Sequence, residues 1–114
     1  EAVAPMSGAR DGLGVAVLDG LLYACGGCDN IGTTLSSVER YDPGSDRWEA
    51  LRSMSVPRIY LGVGALGGHL YAAGGFNAVA NFLSSVERYD PGTDSWEAVG
   101  AMSQNRSSFG LTSL

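Results

Sequence analysis

An all-β chain of four-stranded antiparallel sheets, stacked face to face, is the fold class this sequence predicts, and three observations predict it. The string "SSVERYDPGSDRWEA" at residues 36–50 returns as "SSVERYDPGTDSWEA" at 84–98, an interval of 48. The same interval relates Met6, Met54 and Met102, then Arg10, Arg58 and Arg106, then Gly14, Gly62 and Gly110, with no insertion between. Finally, the first-strand runs are short and followed at once by Asp–Gly or Gly–Gly, and no stretch carries helical periodicity.

Each repeat reads as four strands. "LGVAVL" at 13–18 and "LGVGAL" at 61–66 come first, followed by Asp19 and Gly20 or by Gly67 and Gly68, dipeptides suited to a two-residue hairpin with positive φ. The second strand is "LLYACGG" or "HLYAAGG". An eight-residue loop then leads to a third strand, "SVERY", at 37–41 and 85–89. Pro43 and Pro91 lack a donor and end it in a "DPG" turn. The Trp-led segments "RWEAL" and "SWEAV" supply the fourth strand. Four-stranded meanders at about this period are the signature of propeller blades, which bury both faces against their neighbours.

These residues resemble the kelch motif: a double glycine closing the second strand, a Tyr just before Asp and Pro, and a Trp six residues after that Asp. The resemblance covers essentially the whole chain. It implies that Gly26, Gly27, Gly74 and Gly75 end second strands where blades crowd, and that Tyr41, Tyr89, Trp48 and Trp96 pack between blades. A WD repeat is disfavoured because both Trp residues precede Glu. "SVERYDP" and "MSVPR" look most like the kelch-like substrate adaptors of cullin-type ubiquitin ligases, without the BTB and BACK domains those adaptors carry.

The expected organisation is a partial kelch-type β-propeller over 1–114: the end of a preceding blade at 1–6, repeat units at 7–54 and 55–102, and the start of a following blade at 103–114. Two blades alone expose wide apolar faces. The leading expectation is a piece of a longer, six-bladed chain, and self-association of several copies into a closed ring is the alternative.

Composition narrows the function. The net charge is −5 and all seven basic residues are Arg, which leaves a phosphate-backbone surface without its electrostatic basis, so no nucleic acid is expected. No apolar run is long enough to span a bilayer, so no membrane partner is expected either. Two cysteines make no secreted disulfide scaffold, and a cytoplasmic location is expected. "CGGC" at 25–28 has redox spacing but not the helix start such a site needs, and the second unit has Ala73 and Phe76 there. Cys25 reads as a buried strand residue and Cys28 as a loop thiol. His69 is the single imidazole and has no evident nucleophile to serve. Catalytic residues, metal ligands and cofactors are therefore all expected to be none, and the chain is read as no enzyme.

Antiparallel order puts the loops after the second and fourth strands at one end of each blade. There the units differ most, with "CDNIGTTL" against "FNAVANFL". Loops on a rigid scaffold are the usual place for binding residues. If the blades stack radially, Arg10, Arg58 and Arg106 converge as a ring of guanidinium groups suited to carboxylates; equally, an Arg in every unit serves to bridge adjacent blades. Resemblance to kelch-like adaptors implies a peptide-receiving mouth at Arg10 and Asp11, Arg58 and Ile59, Arg106 and Ser107, with Cys28 and Phe76. Tyr60 and Phe82 add apolar contacts, while Asn30, Asn77 and Asn81 read as turn formers. The expected function is capture of a short peptide of a client protein, as the substrate-recognition part of a ubiquitin-ligase adaptor. The alternatives are a cytoskeletal, actin-type module and the self-assembling fragment.

Overall fold

The computed structural model describes Met6, Gly8 and residues 10–100. Its strands are β1 (Gly14–Leu18), β2 (Leu21–Cys25), β3 (Val38–Asp42), β4 (Arg47–Leu51), β5 (Gly62–Leu66), β6 (His69–Ala73), β7 (Phe76–Asn77), β8 (Asn81–Phe82), β9 (Val86–Asp90) and β10 (Ser95–Val99). Two four-stranded antiparallel sheets form, in the orders β1-β2-β3-β4 and β10-β9-β6-β5, and β7 pairs with β8 as a separate small hairpin. The eight expected strands are all present. The third strand of each unit begins and ends one residue later than expected, its last pairs being Asp42 with Arg47 and Asp90 with Ser95. The strand ends expected at 1–6 and 103–114 fall outside the described residues, Met6 apart.

Local chemistry accounts for the turns. Asp19 and Gly20 sit at φ 53° and 77°, and Gly67 and Gly68 at 60° and 81°, the paired positive φ of a two-residue hairpin. In the "DPG" turns the Asp42 and Asp90 carboxylates accept from the Gly44 and Gly92 amides at 2.8 and 2.9 Å. The left-handed residues there are Asp46 and Asp94, at φ 53° and 49°. Each carboxylate then accepts from a tyrosine hydroxyl, Tyr41 to Asp46 at 2.6 Å and Tyr89 to Asp94 at 2.8 Å. That contact ties turn to strand and explains why the repeated phrase carries both Tyr and the later Asp.

The core is the seam between the two sheets. Directly opposed residues share a face, so Ala16, Tyr23, Arg40 and Glu49 lie on one face of the first blade, and Ala65, Leu70, Tyr89 and Trp96 on one face of the second. These two faces meet: Leu18, Tyr23, Cys25 and Val38 pack with Leu61, Val63, Leu70, Ala72 and Tyr89. The Tyr23 and Tyr89 rings meet edge to face at 6.1 Å. Burying a side chain of Leu or Phe size contributes about 1.5–3 kcal/mol, so a handful of these residues dominates the association of the blades. A Cβ on Gly14 would come within 2.3 Å of Val63, so the two inner strands approach with no room for a side chain there.

The connection from β4 to β5 laces the seam. The Arg52 amide donates to Asp94 at 2.9 Å, the Arg52 carbonyl accepts from the Trp96 indole at 2.8 Å, and the Ser55 amide donates to Glu87 at 2.8 Å. Further along, the Arg58 carbonyl accepts from the Gly27 amide at 2.7 Å and the Arg58 amide donates to Leu35 at 3.0 Å. Gly26 and Gly27, at φ 67° and 97°, are required at this crossing: a Cβ on Gly26 would lie 2.4 Å from the Arg58 carbonyl oxygen. The crowding that the resemblance implied for the double glycine is thus a backbone crossing between blades.

Candidate functional site

The most consequential correction concerns the arginines. Arg58 has no exposed surface, and its guanidinium turns into its own blade. Nη1 donates to the Gly74 and Ser85 carbonyls at 2.9 and 3.0 Å, and Nη2 to Ser85 Oγ and Glu87 Oε2, both at 3.0 Å. Arg10 repeats the arrangement, with Nη1 on the Gly26 and Ser37 carbonyls and Nη2 on Glu39 at 2.9, 2.8 and 2.9 Å. A ring of free guanidinium groups, as far as Arg10 and Arg58 would form it, does not exist. The inter-blade alternative is met by the Arg58 main chain, not by its side chain. Buried carbonyls at the end of the second strand and a buried Glu on the third need donors, and a planar fork satisfies several at once. Arg106 and Ser107 lie outside the described residues.

The other expected residues do gather at the loop-rich end. Asp11 and Cys28 exchange main-chain hydrogen bonds at 2.9 and 2.8 Å, and Ile59 and Phe76 do the same at 3.0 and 2.9 Å. Cys28 is bridged in turn to Thr34, as Phe76 is to Phe82. Each blade therefore ends in a small three-stranded patch that holds its mouth residues in register. Phe76 and Phe82 stack edge to face at 5.4 Å. Tyr60 is half exposed and held at φ 61°, where the first unit has Gly12 at 66°. A non-glycine residue there carries backbone strain of about 1–2 kcal/mol, the kind that concentrates at functional sites. The Tyr60 amide donates to the Gly12 carbonyl at 2.7 Å, which fixes its position beside the first blade.

A feature that sequence reasoning missed lies between the two patches. Gly32, Thr34, Val56, Pro57, Asn77, Ala78, Val79, Ala80 and Leu83 line an open groove of about 440 Å³, almost wholly apolar. Asn77 builds its far wall. The Asn77 side chain is buried, donates to the Pro57 carbonyl at 2.9 Å, and accepts from the Val79 and Ala80 amides at 3.1 and 2.8 Å. Asn77 is thus a turn former, as expected, and also clamps the β7–β8 loop to the inter-blade connection. Val79, on the groove wall, is 97% exposed, and Ile31, next in the chain to Gly32, is 83% exposed. The available signal was the uncharged stretch "NAVAN", too apolar for an idle surface loop.

Neither cysteine forms a disulfide; Cys25 is buried, and burial pushes its thiol up to about 12, while Cys28 is half buried. His69 opens β6, its Nδ1 3.2 Å from the Gly67 carbonyl oxygen. Among the described residues no three His, Cys, Asp or Glu side chains converge to hold a metal ion. The recurring acids are committed within blades: Glu49 and Glu97 pair with Arg40 and Arg88 across neighbouring strands.

Stacked four-stranded blades that present paired loops at one end define a propeller-type repeat module. The particular family follows from the sequence match: the model described as "Kelch motif" matches residues 9–55 and 57–103, and the chain belongs to the kelch family, whose repeats build protein-interaction propellers. The solved structure titled "Structure of YjhT" is similar, with a TM-score of 0.77 over 90% of this chain at 22% identity, a level that speaks for the fold alone. The chain spans 42% of the length of that protein.

Proposed function

We propose that this chain is the client-binding part of a ubiquitin-ligase adaptor, capturing a short peptide segment at its loop-rich end in the cytoplasm. The observation that carries the reading is the apolar groove between the Gly32–Thr34 loop and the β7–β8 loop, one wall of which Asn77 fixes to the Pro57 carbonyl. Apolar clefts with a few fixed polar groups are the usual form of a recognition site. The adaptor assignment is supported by "SVERYDP" and "MSVPR".

The test is peptide capture from a displayed random library, with Ala78→Phe as the control. Ala78 is exposed on the groove wall, and an aromatic ring there occupies the space without disturbing the core. Burying one aliphatic side chain is worth about 1.5–3 kcal/mol, so Ala78→Phe should weaken selected peptides about 10- to 100-fold. Peptides that bind wild type and Ala78→Phe equally would refute the groove. Filament co-sedimentation that survives Ala78→Phe would favour the cytoskeletal alternative instead.

A second reading, self-association, is favoured by the other face of the first blade. Val15 and Val17 are 54% and 62% exposed there, whereas Val63, the register equivalent of Val15, is 9% exposed beneath the first blade. A second copy that covers Val15 and Val17 as the first blade covers Val63 would generate a head-to-tail assembly. Light scattering should then report a species larger than one chain, reduced to a monomer by Val17→Glu. A wild-type monomer at all concentrations would end this reading.

A further inference from the structure

We infer that the captured segment is an aliphatic side chain flanked by Lys or Arg, and not an acidic motif, an inference that rests on the peptide-capture reading above. The segments that build the loop-rich end, residues 10–13, 26–37, 52–61 and 74–85, contain five charged residues: Arg10, Asp11, Asp29, Arg52 and Arg58. Arg52 is exposed, but its main chain is bonded to Asp94 and Trp96 of the β9–β10 hairpin and it does not line the groove. The two cations nearest the mouth are spent. The Arg10 and Arg58 side chains are 4% and 0% exposed and closed on Glu39 and Glu87. Both anions are within reach of a ligand, Asp11 being exposed and Asp29 partly exposed. Among the described residues the accessible charge of this end is therefore negative, in a chain whose net charge is already −5.

These carboxylates also stand beside the groove. Asp29 belongs to the loop that supplies Gly32 and Thr34 to the groove, and its Oδ1 accepts from the Ile31 and Thr33 amides at 3.1 and 2.9 Å. Asp11 is hydrogen-bonded through its main chain to Cys28, which is bridged to Thr34. An aliphatic side chain lying between Thr34 and Val79 would thus bring its neighbours on the first-blade side to Asp29 and Asp11. A basic neighbour gains from both carboxylates and an acidic one is repelled, an effect that operates within about 10 Å at 0.1 M salt.

The experiment is panning of a displayed random octapeptide library on the chain, followed by affinity measurement of the enriched peptides on Asp11→Asn/Asp29→Asn. Asn at position 29 keeps the oxygen that holds the Ile31 and Thr33 amides, so the loop is retained while the charge is removed. Enriched peptides should carry a Leu, Ile or Val within a few residues of Lys or Arg. The double variant should weaken them about three- to tenfold at low salt, and the difference should vanish at about 0.5 M salt. Enrichment of acidic peptides, or affinities indifferent to the double variant, would overturn the inference and leave peptide capture standing. No enrichment beyond the Ala78→Phe control would remove both.

Discussion

Replacing Arg58 by Met is the sharpest probe of what holds the second blade together internally, because it retains an apolar stem and deletes only the guanidinium fork. Four hydrogen bonds go with it, to the Gly74 carbonyl, the Ser85 carbonyl, Ser85 Oγ and Glu87 Oε2, and all lie where water does not reach the Arg. The larger consequence is for Glu87, itself buried, which among the described residues is left as a charge with the Ser55 amide at 2.8 Å. Removing one partner of a buried pair costs about 3–5 kcal/mol, a large share of the 5–15 kcal/mol that stabilises an ordinary domain. Urea unfolding should show the midpoint falling with an unchanged slope. Glu87→Gln in the same chain should recover about 1–3 kcal/mol of that loss, because the stranded charge is gone while an acceptor for Ser55 remains. A change below about 1 kcal/mol in Arg58→Met, or no coupling to Glu87, would refute the buried Arg58–Glu87 pairing and return Arg58 to the mouth.

Two further outcomes are expected. Cys25 is held protonated by burial and Cys28 is half buried, so a thiol reagent should modify one equivalent in the native chain near pH 8, abolished by Cys28→Ser, and the second only in denaturant; two equally fast thiols would contradict the burial of Cys25. The Asp94 carboxyl is held below the usual carboxylate range, first by the Arg52 amide and then by the Tyr89 hydroxyl. A depressed carboxylate contributes stability above its unfolded value near 3.9 and loses it as pH falls through the folded value, so thermal melts between about pH 5 and 2 should be flatter for Asp94→Asn than for wild type. Because Asp94 is exposed, solvent screens part of this, and a slope identical in both proteins would show that the contact contributes nothing.

The architecture was legible in the sequence because its determinants are local. Asp19–Gly20 and the "DPG" turns carry their conformations in their own residue types, and strict spacing then assigns each strand its neighbour. The mouth was half legible. Register brings Asp11 to Cys28 and Ile59 to Phe76, and the variable loops were visible as variable. The groove was not, since Gly32 and Thr34 of the first unit meet Val56, Pro57 and the 77–83 loop of the second only after one blade has been laid on the next. The β7–β8 hairpin was missed for a related reason: two-residue strands have too little pattern to register, and Asn77 forms this one by reaching the Pro57 carbonyl, 20 residues away.

The sequence by itself determined the period, the turns, the strand order and hence the stack, each an interaction among residues near in the chain. Tertiary structure alone decided the direction of Arg10 and Arg58 and, with it, the sign of the charge that the loop-rich end shows to a partner. A guanidinium that looks free in the sequence goes wherever unsatisfied buried acceptors are, and for Arg58 those are Gly74, Ser85 and Glu87, up to 29 residues distant. Their desolvation, which no local pattern records, draws the fork inward.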